Sequence, residues 1–122
     1  MKFLATVKGS EHSGPPPMAL MEAMGKFGEE ASKAGVLLES GGLLPSATGV
    51  RLRVSKGKLS VTDGPFTEAK EIVGGYAMYE VPTKADALEW TRRFMQLHLE
   101  HWPGWEGESE LRQVFGPGDM PG

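Results

Sequence analysis

Val50-Arg51-Leu52-Arg53-Val54-Ser55-Lys56-Gly57-Lys58-Leu59-Ser60-Val61-Thr62 is the stretch on which the fold turns. Val50, Leu52 and Val54 alternate with Arg51, Arg53 and Ser55, the two-residue period of a half-buried strand. Lys56-Gly57 then predicts a tight turn into a second strand, Lys58–Thr62, with Leu59 and Val61 expected to face the core. Asp63-Gly64-Pro65-Phe66 breaks that strand, and Thr67–Ile72 reads as one helical turn. A hairpin therefore occupies the middle of the chain.

On its N-terminal side, Lys2–Lys8 reads as a strand and Gly9–Pro17 as a loop that continues neither strand nor helix. From Met18 onward, Leu20, Met24, Phe27, Ala31 and Ala34 recur at helical spacing, and Gly35 follows where a helix end favours glycine. Val36–Ser40 reads as a strand and Gly41–Pro45 as its irregular continuation. On the C-terminal side, Gly74-Gly75 leads into a strand at Tyr76–Val81. Thr83 is the expected N-cap of a second helix, with Asp86 at N3 and Ala87, Trp90, Thr91, Phe94 and His98 along one side. Pro103-Gly104 ends that region, and Ser109–Phe115 is the last expected strand.

Strand, helix, strand, hairpin, strand, helix, strand is the order of a ferredoxin-like α+β sheet with both helices on one face. The expected domain is 1–115, followed by a frayed tail, Gly116–Gly122. The sheet face without helices needs a cover, and the expected one is the same face of a second copy, as a two-fold homodimer.

At 122 residues the chain supports one core, with a radius of gyration of about 14 Å. A ligand site is expected at a domain edge or between subunits, because little interior is left for a deep pocket. Thirteen basic residues against sixteen acidic ones give a net charge of −3. The close basic pairs, Arg51/Arg53, Lys56/Lys58 and Arg92/Arg93, are interspersed with acids, so no nucleic-acid partner is expected. With no cysteine, disulfides, thiolate metal sites and cysteine nucleophiles are excluded. No apolar run approaches the roughly 20 residues that span a bilayer, and no signal-peptide core precedes the first strand. The expected location is the cytoplasm, with no membrane partner.

Several residues carry candidate chemistry. Asp63 is a candidate general base or polar anchor; the structural alternative is a turn in which Asp63 accepts backbone N–H groups, Gly64 adopts a restricted conformation and Phe66 plugs the core. Glu68, Lys70 and Glu71 follow at once, either as cleft groups or as a solvated surface turn, with Lys70 kept as a binding candidate. His98 and His101 stand three apart, and a zinc site would need a third ligand that nothing assigns, so no metal is expected. His98 is instead a candidate acid–base or a hydrogen-bonded histidine at the core edge. Glu110 and Arg112 alternate on the last strand and share a face, as ligand contacts or as a salt bridge. The loop before the first helix presents Glu11 and His12 as a candidate lid. Met18, Met21, Met24 and Met95 read as core fillers. Gly41-Gly42 and Gly74-Gly75 lack the spacing of a phosphate loop, so no nucleotide cofactor is expected.

At Asp63-Gly64-Pro65-Phe66 the chain resembles the YCII-related family, in the branch named after its DGPF motif. The resemblance runs through Lys33-Ala34-Gly35-Val36-Leu37, Gly42-Leu43, Asp63 to Glu71, Gly74-Gly75-Tyr76 and Glu89-Trp90. It continues into Trp102-Pro103-Gly104-Trp105-Glu106-Gly107 and Glu110-Leu111-Arg112. It implies a dimeric α+β barrel made of two ferredoxin-like sheets. Some YCII-type relatives are dehalogenases of chlorinated lactones that use a first-helix His with an acidic partner. That position falls near Met24 here, and no His occurs from Met18 to Ala34, so the activity does not carry over. Relatives of this branch found beside alternative sigma factors imply a regulatory alternative. The expected function is a homodimer with a cleft for a small polar molecule and acid–base chemistry at Asp63 and His98. The alternative is a non-catalytic interaction module.

Overall fold

Eight regular elements make up the computed structural model, which describes residues 1–119. They are β1 (Lys2–Gly9), α1 (Met18–Lys33), β2 (Leu37–Gly42), β3 (Val50–Ser55), β4 (Lys58–Asp63), β5 (Ile72–Glu80), α2 (Lys84–His101) and β6 (Gly107–Val114). Strands β2-β5-β1-β6 form a four-stranded antiparallel sheet in that order, and β3-β4 form a separate two-stranded one. With the hairpin set aside, the large sheet has the strand order of a ferredoxin-like α+β domain, as expected.

The helix ends obey local chemistry. Gly35 has φ 74°, the Gly35 N–H donates to Ser32 O and the Val36 N–H to Ala31 O, which closes α1 in a Schellman motif. Thr83 caps α2 by accepting the Asp86 N–H at 3.1 Å. Phe3, Ala5, Tyr79, Val81 and Ala87 form the buried core between sheet and helices. Phe27 ties the helices together, its ring 5.7 Å from Trp90 and 5.6 Å from Phe94.

The structure corrects several boundaries. Thr67–Ile72 contains a turn (Ala69 N–H to Phe66 O) but no helical segment, and Ile72 already belongs to β5. That strand starts four residues before Tyr76 because Gly74 fits as an extra residue: Val7 pairs Gly75 and Lys8 pairs Val73. Gly41 and Gly42 continue β2 instead of leaving it, β6 spans Gly107–Val114, and Ala34 is exposed at the end of α1. Pro117–Asp119 form a short 3₁₀ turn; the rest of the expected tail, 120–122, lies outside the described residues.

The largest correction concerns the hairpin. Lys56 and Gly57 both have positive φ, as a two-residue turn requires. Leu52 pairs Val61 and Val54 pairs Leu59, which puts all four on one face. That face does not meet the core: Leu52 is 63 %, Val54 78 %, Leu59 65 % and Val61 64 % exposed. No helix among the described residues is long and apolar enough to cross a membrane.

Candidate functional site

The turn after the hairpin is built around Ser46, which is buried. Its N–H and its hydroxyl both donate to the Glu11 carboxylate, the hydroxyl at 2.7 Å, and Ser46 Oγ accepts the Phe66 N–H at 2.9 Å. The Gly64 N–H donates to Gly49 O at 2.9 Å. A Cβ on Gly64 would stand 1.6 Å from Ser46 O, so no other residue fits there. Glycine is required at this point by close backbone approach and not by a positive φ. Phe66 is half-buried beneath the Arg51 guanidinium, 4.1 Å from its ring centre, so it caps a cleft and does not plug the core. Arg51 also ion-pairs with Glu68 and holds that carboxyl below its usual range.

Two clefts open near this turn, and Glu71 lines both. The first, of about 510 Å³, lies between the hairpin base and one end of the large sheet, at Lys8, Ile72, Val73 and Glu108. Leu43, Leu44, Pro45, Val50, Phe66, Ile72 and Val73 give it an apolar lining, and Lys8, Arg51, Glu71 and Glu108 supply charged groups. Lys8 donates to Glu110 at 3.1 Å, and this bond, reinforced by Glu108 and Glu71, holds its ammonium above the ordinary value. The second cleft, of about 460 Å³, is bounded by Ser10, Ser13, Lys70, Glu71 and the segment Trp102–Glu106 that follows α2.

The residues expected from sequence do not converge. Lys70 lines the second cleft. Glu110 and Arg112 share the sheet face away from the helices, opposite Thr6 and Leu4, and their charged groups stand 3.9 Å apart. His12 is exposed in a 3₁₀ turn, while its neighbour Glu11 is bound to Ser46, so the loop is anchored. Asp63 ends β4, exposed and in neither cleft; none of the Asp63 turn bonds expected among the described residues is formed by its carboxylate. His98 is 5 % exposed, with Nδ1 3.1 Å from Phe94 O and the ring between Phe94 and Trp105. A carbonyl only accepts, so Nδ1 carries the proton; burial pushes the imidazole below its usual value and so favours its neutral form. Asp63 and His98 share neither a hydrogen bond nor a cleft. Among the described residues no three His, Asp or Glu side chains cluster as a metal would need.

Sequence reasoning passed over Ser46, Phe66 and Lys8 as cleft residues. Apolar alternation and charge give no sign of a junction between segments distant in the chain. Trp102 and Trp105 had a visible signal: two of the three tryptophans, three residues apart, flank a Pro-Gly turn.

Fold and site together define a ferredoxin-like α+β domain with an inserted hairpin and clefts at the hairpin's root. The family description YCII-related domain matches residues 1–96, and the chain belongs to that family. It is also similar to an uncharacterised protein of Rhizobium meliloti (strain 1021), 30 % identical over 94 residues, covering 75 % of this chain and 69 % of the relative.

Proposed function

We propose that this protein is a cytoplasmic homodimer that binds a small molecule with an apolar body and a polar end. The first cleft carries this reading: about 510 Å³ of space, mostly apolar walls and a few charged groups at its margin are the marks of a small-ligand site. The homodimer rests on the hairpin, whose apolar face is too exposed for an isolated two-stranded ribbon to be stable in water. A second copy supplies the missing cover for the hairpin, in addition to the helix-free sheet face that is paired in the dimeric barrel the resemblance implies. Binding is proposed without acid–base chemistry, since the His98 Nδ1–H is committed to Phe94 O and Asp63 lies outside both clefts. The same hairpin face supports the second reading, an interaction module covered by a regulatory partner.

The test is a titration of the full chain with small aromatic and aliphatic carboxylic acids, followed by amide NMR. Saturable shifts at Leu44, Phe66 and Val73, abolished by Val73→Trp, are expected at up to about millimolar ligand. No saturable shift at those residues across the panel sinks the ligand-binding reading.

A further inference from the structure

The second cleft is chemically unlike the first, and its principal wall lies beyond the residues that the family description matches. We infer that it is a carbohydrate site, in which a neutral sugar ring packs on the indole of Trp102, with Trp105 stacked behind it.

The aromatic wall is held rigidly. The Trp105 N–H donates to Trp102 O across a turn in which Gly104 has φ 80°, and the two indoles stack 5.6 Å apart at 19°. Behind them His98 packs on Trp105 at 4.9 Å. Trp105 is fixed further by two glycines: a Cβ on Gly107 would come within 2.3 Å of its ring, and one on Gly9 within 3.3 Å. Both indoles are partly buried where they line the cleft, and what stays open leaves apolar surface facing water beside polar groups.

The same cleft is lined by Ser10, Ser13, Lys70, Glu71 and Glu106, which bring hydroxyl, ammonium and carboxylate groups to it. Among the described residues Ser10 accepts the His12 N–H and Glu71 acts on Lys8 through its charge, while no side-chain hydrogen bond or ion pair joins Ser13, Lys70, Glu71 or Glu106 to the rest of the chain. Hydroxyls that both donate and accept, a donor-only ammonium and acceptor-only carboxylates together match the alternating donors and acceptors of a polyol. The apolar C–H face of a pyranose is the complement of a flat indole surface.

Other ring-shaped ligands fit less well. A quaternary ammonium needs aromatic faces set around it at angles, whereas these two indoles are nearly parallel and Lys70 repels a cation. A nucleotide would bring phosphate against Glu71 and Glu106.

The experiment is an NMR titration of the full chain with methyl glucoside, methyl mannoside, methyl galactoside and N-acetylglucosamine, with choline and adenosine in parallel. Saturable shifts of the Trp102 and Trp105 indole N–H signals with at least one sugar are expected. Trp102→Ala should weaken that binding by about tenfold or more. Glu106→Gln and Lys70→Ala, on exposed side chains, should each weaken it about three- to tenfold without altering the amide spectrum elsewhere, and they decide the matter should Trp102→Ala not fold. Silence toward every sugar, preference for choline or adenosine, or sugar binding unchanged in Glu106→Gln and Lys70→Ala overturns the assignment. Carboxylic-acid binding in the first cleft is read from other residues, so the two sites stand or fall separately.

Discussion

Strand β1 with β5, and strand β3 with β4, each present an apolar side, and the two sides meet opposite fates. Phe3, Ala5 and Tyr79, with Val81 just after β5, are between 1 and 5 % exposed, whereas Leu52, Val54, Leu59 and Val61 are between 63 and 78 % exposed. The difference lies in the connections. Strands β1 and β2, and β5 and β6, are joined through helices, and each crossover lays an apolar helix face back on the sheet. Strands β3 and β4 are joined by Lys56-Gly57, which returns only the partner strand. Alternation thus shows that a strand has an apolar side; it does not show that the same chain covers it.

The comparison breaks most visibly if the covered face proves dispensable. Tyr79→Ala should cost about 3–5 kcal/mol in urea unfolding, as for a large aromatic lost from a core. A loss below about 1 kcal/mol would mean that this face is not the core.

Gly64→Ala tests the joint between the two regions. With Ser46 O in the space a Cβ would occupy, the backbone has to shift, and about 1–3 kcal/mol of stability should go. The same variant should move the amide signals of Ser46, Gly49 and Phe66. Unchanged signals there would show that hairpin and sheet are not stapled at this point.

On the uncovered face, Leu52→Asp with Val61→Asp should leave the ferredoxin-like core folded and shift the protein from dimer to monomer. Sedimentation should show a dimer dissociation constant raised about tenfold or more, equivalent to about 1.4 kcal/mol. A wild-type protein that sediments as a monomer at micromolar concentration ends the homodimer reading. It leaves the hairpin face to another partner.

His98 provides the smallest and most local effect. Its folded value lies below the ordinary 6.5, so as pH falls past 6.5 the unfolded chain takes up a proton that the folded chain refuses. Stability should therefore decline as pH falls through 6.5 toward the depressed folded value, and well above pH 6.5 this histidine contributes no slope. His98→Gln should flatten that part of the stability–pH curve. A slope that persists unchanged would place the titration on another group.

Much of the architecture was legible because it is local. The glycine after Ala34, the Thr83 cap with Asp86, the Lys56-Gly57 turn and the helical spacing of Phe27 and His98 each act over a few residues, and each stands where the spacing predicts. The start of β5 was hidden, since a glycine pair reads as a break unless the bulge opposite Val7 and Lys8 is known. Asp63 looked chemical because it opens a distinctive tetrapeptide. The demanding residue of that tetrapeptide is Gly64, and its constraint comes from Ser46, far away in the chain.

The sequence by itself determined the kind, order and ends of most elements, the absence of cysteine chemistry and the family resemblance, all of which rest on neighbouring residues or composition. Only the tertiary structure decided which apolar face is covered, that Glu11 anchors through Ser46, and that Lys70 lines one cleft with Trp102 and Trp105. Those are meetings of segments far apart in the chain. Burial and close approach are properties of the packed whole, and no window of residues contains them.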